Sequence, residues 1–301
     1  MTRSLPVGLA VTVQVPATAA NLGPGFDCFG LALDWYDRVQ LEVLDAGYSI
    51  EVSGEGTEAI PRDESHLIIR SALVGLADLG VRAPGLGLRC RNTIPHGRGL
   101  GSSSAAIVAG LVAAAALAGE RPDARWLLTH ATAIEGHPDN VAAAIYGGFV
   151  LAYESEGIHV AQGGVRADVG VAVFVADSQL ATEAARRLLP EMVPHGDAVA
   201  NSARSALLVH ALAAKPGLLL EATRDWLHQS YRKPAMPQSS ELMNRLRSKG
   251  FAAVISGAGP SVLVLGRTRD LEALGAEAAP GFTVRLLGIG RGGRAVGPGA
   301  R

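Results

Sequence analysis

The chain has 301 residues, 48% of them hydrophobic, and a formal net charge of −1. That length holds one large domain or two modest ones with a full core, and the near-zero charge leaves no electrostatic footprint for nucleic acid or an acidic membrane. Two distant cysteines, Cys28 and Cys90, make neither a disulfide framework nor a metal pattern.

The N-terminus carries Arg3 but also an early Pro6 and polar Thr12 and Gln14, so no clean signal segment is expected and the default location is the cytoplasm. Residues 9–16 alternate and predict a strand ending at Pro16. The following run, Pro16-Ala17-Thr18-Ala19-Ala20-Asn21-Leu22-Gly23-Pro24-Gly25-Phe26-Asp27-Cys28-Phe29-Gly30, must loop at Gly23-Pro24-Gly25. Read alone, Asn21 and Asp27 suit turn formers that bond their own backbone. A carboxylate also suits an ammonium group, and an amide suits a hydroxyl or a carboxylate. Residues 38–44 and 48–52 predict a strand pair turning near Asp45-Ala46-Gly47. Asp63–Gly80 predicts a helix with Leu67, Ile68, Ala72, Val74 and Leu79 apolar and Gly80 as its stop, and His66 reads as a capping or surface histidine. Residues 85–91 predict a strand.

Next comes Pro95-His96-Gly97-Arg98-Gly99-Leu100-Gly101-Ser102-Ser103-Ser104-Ala105, which runs on as an apolar, alanine-rich segment to Ala118. Ala105–Ala118 is the longest apolar run, and its 14 residues fit a buried helix; a membrane span needs roughly 20. Three alternating glycines feeding a helix N-terminus allow close backbone approach. The unpaired first N–H groups and the positive end of the helix dipole then make an anion site, most often for phosphate. The serines can cap the helix or offer a hydroxyl to Mg²⁺. The spacing is neither the Walker loop, which needs a lysine, nor the dinucleotide fingerprint.

A helix from about Asp123 to Glu135 stops at Gly136, and the polar run Glu135-Gly136-His137-Pro138-Asp139-Asn140 follows. Read alone, Glu135 is a solvated helix end. Strands are predicted at Phe149–Tyr153 and 169–176. Ser178–Pro190 contains Thr182, Arg186 and Arg187. Helices are predicted at His195–Ala213, Leu218–Trp226 and Ser239–Lys249, and strands at Ala252–Ile255, 262–265 and 282–287. Asp225–Arg232 places His228 four residues before Arg232, where packing or a capping bond accounts for the histidine. Ser256-Gly257-Ala258-Gly259-Pro260-Ser261 is a third glycine-rich element. Gly288–Gly293 matches G-x-G-x-x-G, but no helix follows it, so it reads as a flexible tail and a chance match.

Several of these stretches resemble the GHMP small-molecule kinases, a family named for galactokinase, homoserine kinase, mevalonate kinase and phosphomevalonate kinase. Residues 95–105 resemble the family's P-x-x-x-G-L-G-S-S-A motif. Pro16–Gly30 resembles the N-terminal signature of the homoserine kinases within it, with Thr18 about where mevalonate kinase has a lysine. Residues 135–140 resemble E-G-H-x-D-N, 182–190 resemble T-x-x-A-R-x-x-L-P, 225–232 resemble D-x-L-H-x-x-Y-R, and 256–261 match S-G-A-G-P-S. The resemblance implies a two-domain α+β fold, with an N-terminal domain like part of ribosomal protein S5 over 1–160 and a ferredoxin-like C-terminal domain over 161–301.

It further implies ATP-dependent phosphorylation of the homoserine hydroxyl to O-phosphohomoserine, the precursor of threonine. By it, residues Pro95, His96, Gly97, Arg98, Gly99, Leu100, Gly101, Ser102, Ser103, Ser104 and Ala105 take ATP, and Ser103 and Glu135 hold Mg²⁺. Asn21, Asp27, His137, Asn140, Thr182, Arg186, Arg232, Gly257 and Gly259 contact homoserine. Asn140 is a positioning group, Glu135 serves the catalytic centre through the metal, and Asp139 stands where other members have a catalytic aspartate. His66 replaces the family's usual asparagine near adenine. The expected partner is the small-molecule substrate, with no nucleic acid and no membrane, and a homodimer is left open. The alternatives are a mevalonate-type kinase, a non-catalytic nucleotide-binding relative, and an RNA binder like ribosomal protein S5, the last opposed by the charge.

Overall fold

The computed structural model describes residues 3–58, 60–121, 123–277 and 279–297. In the first half, strands β1 (Arg3–Ser4), β2 (Ala10–Asn21), β3 (Gly25–Leu44), β4 (Gly47–Gly54), β5 (Val81–Arg82), β6 (Gly85–Asn92), β7 (Phe149–Glu154) and β8 (Ile158–Gly163) alternate with helices α1 (Leu67–Asp78), α2 (Ser102–Ala118), α3 (Ala124–Glu135) and α4 (Asp139–Tyr146). In the second half, strands β9 (Val169–Ala176), β10 (Ala252–Ile255), β11 (Val262–Arg267) and β12 (Phe282–Leu287) are accompanied by helices α5 (Thr182–Arg186), α6 (His195–Ala213), α7 (Leu219–Ala222), α8 (Gln229–Arg232) and α9 (Pro237–Ser248). A final strand, β13 (Arg294–Val296), closes the described chain.

Two sheets carry the molecule. A seven-stranded sheet runs β13-β2-β3-β6-β4, with β7 pairing β3 and β8 pairing β7; a four-stranded antiparallel sheet runs β10-β11-β9-β12. Helix α2 is apolar on every side, which a helix tolerates only in an interior. Thirteen of its residues are buried, from Ser104 to Ala118. They pack with Val13, Val15, Leu41 and Val43 of β2 and β3 and with Ile68, Ile69 and Leu76 of α1 in one core. The mouth of α2 is thereby set rigidly at the edge of a cleft between the sheets. Among the described residues no helix is long and apolar enough to cross a membrane.

Several local expectations are corrected. The first strand does not end at Pro16 but continues to Asn21, because a register shift between Pro16 and Thr18 absorbs the missing N–H. Residues 38–44 and 48–52 are strands, yet they do not pair with each other. β6 lies between them, antiparallel to β3 and parallel to β4. The 63–80 helix begins only at Leu67, capped by His66, whose Nδ1 accepts from the Ile68 N–H at 3.2 Å. No serine caps α2; Gly101, with φ 67°, stands at its N-cap. Leu218–Trp226 is helical only through α7, and Asp225 instead gathers the N–H groups of Leu227, His228 and Gln229. Helix α4 was not expected from the pattern. The 288–293 tail is ordered: the Asp34 N–H donates to Gly288 O, the Gly290 N–H donates to Ala32 O, and β13 pairs with β2. Glycine is required at 292, where a Cβ would lie 2.0 Å from Ile145 O.

Candidate active site

The cleft beside α2 holds a cavity of about 240 Å³. Its floor is the loop Gly97–Ser103. The amides of Ser102, Ser103 and Ser104 form the first turn of α2 and have no carbonyl to bond within the helix. Gly101 closes this floor with a left-handed backbone, and a Cβ there would sit 1.9 Å from Thr18 Oγ1. The Ser256 hydroxyl donates to Gly99 O at 2.7 Å, so the third glycine-rich loop braces the first from behind.

One wall comes from the C-terminal end of α3 and the start of α4. Glu135 ends α3, where a carboxylate meets the negative end of the helix dipole. Two hydroxyls offset that cost: Ser103 Oγ donates to Glu135 Oε1 at 2.6 Å and Ser104 Oγ at 2.8 Å. Asp139 is buried. Its Oδ1 accepts from the Asn140 N–H at 2.7 Å and bonds His137 Nδ1 at 3.1 Å. That bond is the largest influence on His137 and raises its pKa, with burial opposing it.

Another part of the lining is cationic. Arg186 at the end of α5 makes a two-pronged pair with Asp27, at 2.8 and 2.9 Å. Arg232 on α8 is 2% exposed, and its Nε finds no hydrogen-bond partner among the described residues. Its Nη1 has only 3.4 Å contacts to His228 Nδ1 and Gly257 O. Burial above all, then Arg186, pushes its pKa down. Both guanidinium groups face the Phe26 ring, at 5.7 and 5.2 Å from its centroid. His228 stacks on that ring, and its Nε2 bonds Gly23 O at 2.9 Å, so the imidazole's place is structural, as expected. Arg187 is exposed and pairs with Glu183 one turn back.

The cavity therefore brings together Asn21, Asp27, Gly97, Gly99, Leu100, Gly101, Ser102, Ser103, Glu135, His137, Asp139, Asn140, Thr182, Arg186, Arg232 and Gly257. Asn21 is also a brace: its Oδ1 accepts from the Asp27 N–H at 2.9 Å and its Nδ2 donates to Gly257 O at 2.8 Å. Other expected residues stand outside that lining. Arg98 is turned away, bonding the carbonyls of Ala176, His96 and Asp177. Pro95, Ser104 and Gly259 do not line the cavity, although the Ser104 hydroxyl reaches Glu135 from beside it, and a Cβ on Gly259 would strike Met236. Sequence reasoning missed Thr18, whose hydroxyl meets Asn140 at 2.8 Å.

A second cavity of about 260 Å³ adjoins the same loop at Ser102 and Ser103. It is lined by apolar Val39, Ile60, Leu67, Ile68 and Ala105, with Asp37, His66 and His96 among them. His66 is buried, and burial lowers its pKa to about 4, so the ring is neutral at pH 7. With Nδ1 accepting from Ile68, the proton is on Nε2. The histidine is thus a cap, as expected, but not a surface residue.

Among the described residues no cluster of three or more His, Cys, Asp or Glu offers a transition-metal site. Glu135 with Ser103 is an all-oxygen set on a partly open edge. It fits a hard cation that keeps several waters.

Comparison with known proteins follows the same lines. The model of the GHMP kinases N terminal domain matches residues 66–148, and that of the GHMP kinases C terminal matches residues 203–281. A homoserine kinase of Streptomyces coelicolor is 52% identical over 293 residues, covering 96% of this chain and 95% of its own. One of Corynebacterium urealyticum is 47% identical, covering 92% and 93%. The crystal structure of a homoserine kinase from Cytophaga hutchinsonii superposes with a TM-score of 0.81 at 27% identity, covering 95% of this chain and 97% of the other.

Proposed function

The chain belongs to the GHMP kinases, in their homoserine kinase branch, and from that premise we propose that it transfers the terminal phosphoryl group of ATP to the side-chain hydroxyl of L-homoserine. The product, O-phospho-L-homoserine, feeds threonine synthesis. The observation that carries the reading is one cavity with free helix amides on its floor, and Asp27 and two guanidinium groups on one wall. A phosphate-rich donor suits the first and a zwitterion the second. We place the division between the two family domains near residue 160.

The residues divide the work. The amides at the mouth of α2 take the phosphates, and the apolar second cavity beside Ser102 takes the nucleoside. Mg²⁺ would be held by Glu135 and Ser103 and would supply charge neutralisation on the phosphates. Asp27 takes the homoserine ammonium, and Arg186 and Arg232 take its carboxylate. The Asp27–Arg186 pair already holds these two charges face to face, so a zwitterion exchanges one ion pair for two. Asn140 and His137 orient the hydroxyl. Asp139 braces His137 and the Asn140 amide through an oxygen that already meets both. The hydroxyl proton passes to the phosphoryl oxygens, and alignment and electrostatics supply most of the rate.

A coupled ADP-release assay with L-homoserine, its des-amino and decarboxylated analogues, and mevalonate tests this reading. Turnover with homoserine alone supports it. Turnover with mevalonate and none with homoserine would overturn it.

A further inference from the structure

Thr18 has no part in the scheme above, yet it is completely buried at the junction of three pieces of the site. Its N–H donates to Leu100 O at 3.0 Å, within the phosphate loop. Its Oγ1 occupies the space beneath Gly101 that any Cβ there would need. The same Oγ1 lies 2.8 Å from Asn140 Oδ1. A carbonyl oxygen carries no proton, so the threonine hydroxyl is the donor. The hydroxyl could accept from Nδ2 were the amide turned over, so two contacts together set its orientation: Thr18 on Oδ1 and the acceptor-only Asp139 carboxylate on the Nδ2 side. Nδ2 is then turned away from Thr18, and its contact to Asp139 Oδ1 is 3.5 Å, at the limit of a hydrogen bond. An amide N–H is left for the cavity that Asn140 lines.

We propose that Thr18 is the positioning residue that fixes the Asn140 amide with its nitrogen toward the reacting hydroxyl. It also ties that amide to the loop that takes the phosphates. The inference rests on the role given to Asn140 above. Without the Thr18 hydroxyl, Oδ1 loses its donor and the amide is left with the 3.5 Å contact to Asp139, so its nitrogen is no longer fixed toward the reacting hydroxyl. The ligand-binding walls are untouched, so the effect falls on kcat.

The test is a double-mutant cycle in steady-state kinetics. Thr18→Val keeps shape and volume but removes the donor; losing one buried hydrogen bond and the aligned amide lowers kcat about ten- to a hundredfold, with both KM values within about threefold. Thr18→Ser restores the donor and keeps kcat within about threefold of wild type. In an Asn140→Ala background, Thr18→Val costs no more than about twofold further. Thermal melting of each variant controls for folding, and the serine variant carries the test if the valine variant misfolds. Wild-type kcat in Thr18→Val, a serine variant as slow as the valine one, or full additivity with Asn140→Ala overturns the proposal alone. Wild-type kcat in Asn140→Ala overturns the role of Asn140, and this proposal with it.

Discussion

Replacing Arg232 with methionine removes a charge that the free protein holds at a cost. The guanidinium is 2% exposed, Nε has no partner among the described residues, and the two Nη1 contacts are 3.4 Å long. Asp27, Asp225 and Asp139 favour the charged form, but burial and Arg186 outweigh them. Exchanging such a poorly partnered buried ion for an apolar side chain of similar length should stabilise the free protein by about 1–4 kcal/mol. In a chain of this size that corresponds to a Tm increase of roughly 1.5 °C per kcal/mol. Function moves the other way. One charge-assisted hydrogen bond to the substrate carboxylate contributes about 1.5–3 kcal/mol, so KM for homoserine should rise about ten- to a hundredfold while KM for ATP stays within about twofold. Thermal unfolding with and without homoserine reads both effects. Wild type at a hundred times its Kd gains about 2.7 kcal/mol, and the variant at the same concentration gains about 0.4–1.4 kcal/mol. A variant that melts lower than wild type and keeps the wild-type homoserine KM would refute the reasoning.

Gly101→Ala should abolish turnover, because its Cβ would meet Thr18 Oγ1 at 1.9 Å and its φ of 67° is left-handed; loss of ATP binding by calorimetry checks it. Glu135→Gln keeps an oxygen to accept the Ser103 and Ser104 hydroxyls but loses the negative charge. Its Tm should stay near wild type while kcat/KM falls about a hundredfold or more and the Mg²⁺ requirement rises, read by magnesium titration. Asp37 is pushed from its ordinary 3.8 up to about 6, chiefly by burial, against the N–H groups of Thr93 and Ile94. Between those values the folded state holds a proton that the unfolded state has released, so stability falls as pH rises through that window and stays lower above it. Asp37→Asn should flatten this dependence and raise stability at pH 8 by about 1–3 kcal/mol, measured by urea unfolding at pH 5 and pH 8. Arg187→Ala should leave both KM values unchanged, since that side chain is exposed and pairs with Glu183 along its own turn.

Much of the site was legible because its chemistry is local. The glycines and serines of 97–104 announce an anion site, and α2 follows from an apolar run too long for a strand. The cluster at 135–140 and the arginines of 186 and 232 were legible as residue types in a pattern. Their pairing was not. Arg186 meets an aspartate 159 residues away, and Thr18 meets an asparagine 122 residues away. Nothing in a single sequence states such distances. The same limit explains the sheet. Residues 38–52 have the pattern of a hairpin, and only the arrival of β6 decides that β3 and β4 stand apart. The tail read as flexible because glycine, arginine and proline dominate it. Its order comes from carbonyl and amide partners at Ala32, Asp34 and Gly148, and from the edge of β2.

The crystal structure of a complex with a non-hydrolysable ATP analogue, Mg²⁺ and L-homoserine tests the central claim most directly. The account predicts phosphates against the amides of Ser102–Ser104, the homoserine carboxylate between Arg186 and Arg232, and its ammonium on Asp27. Phosphates bound away from the mouth of α2, or homoserine with its carboxylate remote from both arginines, would contradict it.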